Sequence, residues 1–172
     1  QAASWIADAQ PQPTDIGLLQ TDALHEHFLN IASTGLGGDV DARVNRVKKR
    51  RPWTFLRATV ESILHYTPQN IRVDLDGTTW YDDKSWVAVV ANGTTFGHGM
   101  QIAPNASVTD GKFDVIVIEG VSRMILLRAL RLVYSGEHLV HPAVHHRRAK
   151  TVDISTTSGR LAIDLDGEYA QG

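Results

Sequence analysis

Acidic residues gather in two short repeats. The tetrapeptide Asp-Leu-Asp-Gly occurs at 74–77 and again at 164–167, each time after an alternating, strand-like run. Asp-Gly is a strong hairpin signal because its two positions accept the positive φ of a tight turn, and two hairpin turns are the ordinary reading. The second copy carries more. Glu168 follows it and adds a third carboxylate beside Asp164 and Asp166. Strand alternation places Asp164 and Asp166 on one face, with Leu165 on the other. Carboxylates held that close raise one another's pKa and suit proton or metal chemistry. A second stretch, Gly35-Leu36-Gly37-Gly38-Asp39, lies between a strand and a helical run, where a phosphate loop would lie. It has no Lys of the GK[ST] type and its glycine spacing fits neither common fingerprint. It reads instead as a turn into a helix, with Asp39 as the cap. His138, His141, His145 and His146 fall close together, and zinc sites use His at short spacing. No Cys is present, carboxylates nearby are few, and Pro142 breaks any helix that would align the rings. Structural or exposed roles are expected for them. No G-x-S-x-G nucleophile elbow occurs.

The elements that must position these residues follow from periodicity and punctuation. Gln1 to Ala9 has a helical pattern ended by Pro11 and Pro13. Asp15 to Leu19 and His27 to Ala32 read as a loose β-hairpin. Asp39 to Val47 reads as a helix. Pro52 to Tyr66 is a second helix, with Pro52 in its first turn and Phe55, Leu56, Thr59, Val60, Ile63 and Leu64 at helical spacing. Asn70 to Asp76 and Thr78 to Tyr81 flank an Asp-Gly turn. The third helix, Ser122 to Tyr134, starts at a Ser cap and ends at Ser135-Gly136. Lys150 to Ser155 and Arg160 to Asp164 are the closing strands, joined at Thr157-Ser158-Gly159. The centre of the chain is Val87 to Gly120. Two β-branched runs there flank a long loop rich in turn formers, and loops of that length between buried strands are usually functional. Many short strands with three inserted helices predict an α+β, mainly β fold: an antiparallel β-sandwich.

The motifs also occur in a familiar order. FLNIASTGLGGDVDARVN (28–45), Asn92-Gly93, GHGMQIAP (97–104), NASVTDGKFDV (105–115), SGEHLVHPAV (135–144) and LAIDLDGE (161–168) resemble those of the diacylglycerol kinase and sphingosine kinase-like lipid kinases. The resemblance is to the C-terminal domain of their catalytic fold. His98 departs from it, standing where the family's GGGM pattern has Gly. The resemblance implies the same sandwich, with residues 1–172 forming the C-terminal, substrate-side domain. A chain that starts at Gln1 and has no GGDGT-type motif is what an excised domain would show, the nucleotide-binding domain lying outside it. It further implies a kinase that moves the γ-phosphoryl of ATP to a hydroxyl of diacylglycerol or a similar lipid. Glu168 is then the proton acceptor, with Asp166 beside it at the nucleotide–metal side. It also implies a structural Mg²⁺ held by the backbone carbonyls of Ser107 and Lys112 and the carboxylate of Asp110. The residues alone read there as an Asp-Gly turn entering a strand, and both readings suit hard oxygen donors around a tight glycine turn. The fragment by itself is expected to be inactive.

Composition bounds the alternatives. The chain has 172 residues, 42% hydrophobic, a formal net charge of −2 and no Cys. That excludes a disordered chain, argues against a nucleic-acid partner, and rules out disulfides and thiol catalysis. No apolar run approaches the ~20 residues that span a bilayer, no signal peptide is seen, and a cytoplasmic protein peripheral to the membrane is expected. Arg43, Arg46, Lys48, Lys49, Arg50 and Arg51 form a block without an acid among them. It reads either as a solvated helix end or as a patch for anionic lipid headgroups. A NAD kinase-like enzyme with a soluble substrate, and a non-catalytic lipid-binding or regulatory module, stay open beside the lipid kinase, as does a homodimer.

Overall fold

The computed structural model describes residues 9–47, 49, 51, 53–97, 99–157 and 161–171. The Gln1 to Asp8 part of the expected first helix, Pro52, His98 and the Ser158-Gly159 turn lie outside them. The organising element is a strand of 14 residues. It begins where the short strand Thr78 to Tyr81 was expected and runs through Trp86 to the central valine stretch. It is β5, Thr78–Ala91, preceded by β1 (Gly17–Gln20), β2 (His25–Phe28), β3 (Ile31–Gly35) and β4 (Gln69–Leu75). It is followed by β6 (Phe113–Glu119), β7 (Val144–Ala149), β8 (Val152–Thr156), β9 (Ala162–Leu165) and β10 (Glu168–Gln171). The first half of β5 pairs with β4, and its second half pairs with β3 on one edge and β6 on the other, all antiparallel. β4 carries β8, β6 carries β7, and β3 carries the β9–β10 hairpin. A register shift between Ser85 and Val87 marks where β5 passes from one set of partners to the other, as a bulge does.

The helices α1 (Leu36–Asn45), α2 (Thr54–His65) and α3 (Arg123–Ser135) cover one face of this sheet. Alternation in β5 and β6 divides the core. Val87, Val89 and Ile116 face the helices with Val40, Ile63 and Leu126. Ala88, Val115 and Val117 face the other way, against Ile71, Val73 and Leu75. The mainly antiparallel, three-helix sandwich expected from the turn pattern is therefore present.

Several boundaries move for physical reasons. The stretch His27 to Ala32 is not one strand: β2 pairs only with β1, and the chain turns at Leu29-Asn30 before β3 joins the main sheet. Helix α1 starts three residues before Asp39. Its entry is Gly35, at φ +88°, where a Cβ would sit 2.7 Å from the Trp86 carbonyl oxygen. Asp39 is not the cap; it forms an i,i+4 pair with Arg43 at 2.9 Å. The other glycines of this stretch serve packing. A Cβ on Gly38 would meet Ala162 at 2.8 Å, so Gly38 lets α1 lie directly against β9. In α2 the buried residues are Ala58, Thr59, Ser62 and Ile63, while Leu56 and Leu64 of the expected apolar stripe are exposed. α3 ends as expected at Gly136 in the left-handed conformation. β7 and β10 were not foreseen. The charged run of β7, His-His-Arg-Arg, hides a strand that pairs along only one edge.

Candidate functional site

The two Asp-Leu-Asp-Gly copies turn out to be the same device. Asp76 and Asp166 both have positive φ, 49° and 51°, each followed by a positive-φ glycine. Asp76 accepts the backbone N–H groups of Lys150 and Thr151 at 3.0 and 2.9 Å. Asp166 accepts those of Leu29, Asn30 and Ile31 at 2.8, 2.9 and 2.8 Å, and its own N–H returns to the Ile31 carbonyl at 2.9 Å. Each aspartate therefore clamps the end of a neighbouring strand. Because Asp166 lies in the turn and not in the strand, alternation does not pair it with Asp164. Glu168 begins β10 directly after the clamp. It is exposed, and among the described residues its carboxylate makes no hydrogen bond or ion pair.

Asp164 finds a different carboxylate. It is 4% exposed, accepts the Gly167 N–H at 2.9 Å and lies 3.2 Å from the Ser33 hydroxyl. Burial, and then the hydrogen-bonded carboxyl of Asp41, push its pKa up to about 8, so the two carboxyls together hold a proton well above the ordinary carboxylate range. Asp41 lies on the inner side of α1, also buried, and its Oδ2 has no hydrogen-bond partner. Sequence reading did not single out Asp41. The signal was there: Asp41 falls on the side of α1 that holds Gly38, Val40 and Val44, where a solvated acid does not belong.

Asp41, Asp164, Asp166 and Gly167 share one cavity of about 340 Å³. Its other walls come from α1, α2, α3 and the helix-facing side of the sheet, with Val44, Phe55, Ile63, Met100, Leu130 and Val133 among them. This lies at the small end of the range for ligand sites, and such sites are apolar with a few convergent polar groups. His138 and His141 also line it. His138 is 1% exposed, burial pushes its pKa down, and its Nε2 lies 2.9 Å from the Ile102 carbonyl, which can only accept. The imidazole is thus neutral, with its proton on Nε2. The other three histidines of the 138–146 cluster are also paired: His141 Nδ1 accepts the Ala143 N–H, His145 meets Glu119 at 3.1 Å, and His146 meets Asp114 at 2.6 Å.

The stretch expected to hold Mg²⁺ lies elsewhere, between Met100 and β6. Gly111 has φ +67°, as a tight carbonyl-presenting turn requires. Asp110 Oδ1 accepts the Lys112 N–H at 3.1 Å, and its other oxygen is ion-paired with Arg148. Asp15, which the sequence did not mark, pins this loop: its carboxylate accepts the Gly111 N–H at 2.7 Å and its N–H reaches the Val108 carbonyl at 2.7 Å. The side chain of Asn92 ties Asp15 to Leu29, near the strand end that Asp166 clamps. The donor set of Ser107, Asp110 and Lys112 is all hard oxygen and suits Mg²⁺. An ion there would replace Arg148 as the partner of Asp110.

In the basic block, Arg43 is engaged with Asp39, and Lys48 and Arg50 lie outside the described residues. Arg46, Lys49 and Arg51 are exposed, and the Arg51 guanidinium lies 5.4 Å from the Trp53 ring. Trp53 is 57% exposed, whereas Phe55 packs against the core.

An antiparallel sandwich with helices over one face, and an Asp-Gly turn lining an apolar cavity beneath them, is a beta sandwich-like domain of the NAD kinase-like class. Residues 30–171 match the YegS C-terminal NAD kinase beta sandwich-like domain, and the chain belongs to that family. A diacylglycerol kinase of Mycobacterium tuberculosis (strain ATCC 25618 / H37Rv) is 30% identical over 98% of this chain and 55% of its own length. One of Bacillus subtilis (strain 168) is 23% identical over 98% and 54%. The chain thus spans about half the length of the curated relatives it matches. Among solved structures, a diacylglycerol kinase from Bacillus anthracis str. Sterne superposes with a TM-score of 0.62 at 17% identity, over 99% of this chain and 52% of that one. A second chain from the same organism reaches 0.70 at 24%, over 99% and 55%. At these identities the structures support the fold alone.

Proposed function

We propose that this chain is the substrate-side domain of an ATP-dependent lipid kinase that phosphorylates a hydroxyl of diacylglycerol or a similar lipid. The observation that carries the reading is the placement of the Asp166-Gly167 turn, which presents Glu168, at an apolar cavity under three helices. An acyl chain fits such walls. The names of the curated relatives agree with it. Phosphoryl transfer needs positioning and charge stabilisation more than covalent help from the protein. In this reading the lipid hydroxyl attacks the γ-phosphorus, its proton passes to Glu168, and the bond to the bridging oxygen of ADP breaks. Asp166, by clamping Leu29 to Ile31, fixes the turn that aims Glu168. Mg²⁺ offsets phosphate charge in such reactions. A second ion at Ser107, Asp110 and Lys112 would stiffen the loop that Asp15 pins. The cationic face of Arg46, Lys49 and Arg51 with Trp53 would bring the protein to an anionic membrane. No helix among the described residues is long and apolar enough to cross a membrane.

The test is phosphate transfer from labelled ATP by the intact protein to a panel of diacylglycerol, sphingoid base, prenol and NAD. Product on a lipid is expected. Product on NAD alone would return the chain to the soluble-substrate branch of its fold, and vesicle binding without any turnover would make it a non-catalytic module.

A further inference from the structure

The histidine cluster at 138–146 is committed to its neighbours, but another pair is not. His25 and His27 lie on β2, both exposed. Among the described residues neither ring makes a hydrogen bond or an ion pair, and their one ring contact is with each other. The ring centroids are 6.4 Å apart and the planes stand at 89°. Strand alternation puts residues i and i+2 on one face. The opposite face is fixed by Phe28, which is buried and stacks on Phe113 with centroids 5.6 Å apart. A Cβ on Gly17, the partner of Phe28 across the ribbon, would sit 2.2 Å from the Phe28 ring, so the hairpin is seated closely on it. At the other end Thr21 closes the loop. Its N–H reaches the Leu24 carbonyl at 2.9 Å, and its hydroxyl accepts the Ala23 and Leu24 N–H groups at 3.1 and 3.0 Å. Both ends of the ribbon are pinned, and His25 and His27 are held outward.

Two neutral imidazoles on one ion make a chelate. Zn–N bonds are about 2.0–2.1 Å, so rings that bind one ion through a nitrogen each stand about 5–6 Å centre to centre. Rotation of exposed side chains takes picoseconds to nanoseconds, and it closes that gap from 6.4 Å without moving the strand. Imidazole suits Zn, Cu and Ni, whereas Mg and Ca prefer carboxylate, carbonyl and water oxygens. The pair thus differs in kind from the oxygen donors at Ser107, Asp110 and Lys112. Water completes the shell, because both side chains are exposed. An edge-to-face ring contact without a ligand is the plainer use of the same geometry, and the experiment below separates the two.

We infer that His25 and His27 form a two-histidine chelate for a divalent transition ion of the Zn²⁺, Ni²⁺ and Cu²⁺ class. The assignment does not depend on the kinase reading. An ion bound to both residues favours the extended backbone between them, and so stabilises a two-stranded ribbon, which has little stability of its own. The ribbon is fastened to the rest of the site at both of its outer ends. β2 runs directly into Leu29 to Ile31, whose N–H groups Asp166 accepts, and Asp15, two residues before β1, accepts the Gly111 N–H. An ion on this face steadies an element tied to the Glu168 turn on one side and to the 105–112 loop on the other.

The experiment is calorimetric titration of the untagged intact protein with ZnCl₂, NiCl₂ or CuCl₂, beside His25→Phe and His27→Phe, which keep an aromatic ring and lose the nitrogens. Wild type should show a saturable step of one ion per chain, tightest for Cu²⁺ as the usual order of divalent affinities requires, and undisturbed by excess Mg²⁺. Each Phe variant should weaken that step about 100-fold, the low end of the gain when a second contact becomes intramolecular. His145→Phe, at a histidine engaged with Glu119, should leave the step unchanged. Amide hydrogen exchange across 17–28 should slow when Zn²⁺ is added to wild type, and not when it is added to His27→Phe. No saturable binding by wild type, or a step that survives His27→Phe, would overturn the site and leave the pair a ring contact. Unaltered exchange in the presence of the bound ion would overturn its hold on the ribbon.

Discussion

Replacing Asp164 by Asn tests the buried carboxyl pair through stability alone. The folded-state pKa of Asp164 is raised from 3.8 to about 8, by burial first and Asp41 second. Its folded value thus lies above its unfolded value, so between these pH values the native state holds a proton that the unfolded state has released. The stabilising contribution is complete below about pH 4 and is lost as pH rises through 8. Each pH unit in that window removes about 1.4 kcal/mol, so moving from pH 5 to pH 7 removes about 3 kcal/mol. Asn cannot ionise, yet its side-chain oxygen can still accept the Gly167 N–H. Urea unfolding of both proteins from pH 4 to pH 9 supplies the difference curve. His138 works in the opposite direction, its pKa lowered by burial and its contribution lost as pH falls, but it is common to both proteins and cancels. The wild type should lose stability with rising pH relative to Asp164→Asn, by about 3 kcal/mol between pH 5 and 7. Parallel curves would show that Asp164 ionises normally and that the pair shares no proton.

Gly38→Ala should destabilise the chain by about 1–3 kcal/mol, since a Cβ 2.8 Å from Ala162 must push α1 off β9; an unchanged urea midpoint would contradict the packing role. In the intact protein, Glu168→Gln should lower kcat by about 10²–10⁴-fold with no change in Tm. Asp166→Ala should lower both, because three backbone N–H groups lose their acceptor at a cost of about 1–2 kcal/mol; the reverse pattern would exchange the two roles. Asp110→Ala should impair the intact kinase while leaving far-UV circular dichroism unchanged, and a crystal grown in Mg²⁺ should show density about 2.1 Å from the Ser107, Asp110 and Lys112 oxygens; full activity would remove the ion's role. Replacing Lys48, Lys49, Arg50 and Arg51 by Ala should weaken binding to anionic vesicles about 10²–10³-fold at low salt and less at high salt; equal binding would leave the block a solvated surface.

The sequence alone determined what depends on local chemistry and order. Its β-branched runs and Asp-Gly turns predicted the antiparallel sandwich, because each strand's alternation and each turn's φ are set within a few residues. The order of its motifs pointed to the family that the matched domain then showed. Gly136 ended its helix where its lack of a Cβ said it would. Other decisions needed the tertiary structure, because they depend on what lies across the fold. The Asp-Gly dipeptide sets Asp166 at the turn, but the partners of the two aspartates lie across the fold: the strand end at Leu29 to Ile31 claims Asp166, and α1 claims Asp164. The sequence shows the glycines after Gly35 only as a turn into a helix; their packing role comes from Ser33 beneath Gly37 and Ala162 beneath Gly38. Asp41 was one acid among 19 acidic residues in the sequence, and only burial beneath three helices, against a partner 123 positions away, gave it a chemistry of its own. A carboxyl's ionisation is decided by the dielectric and the charges around it, and those are properties of the packed chain.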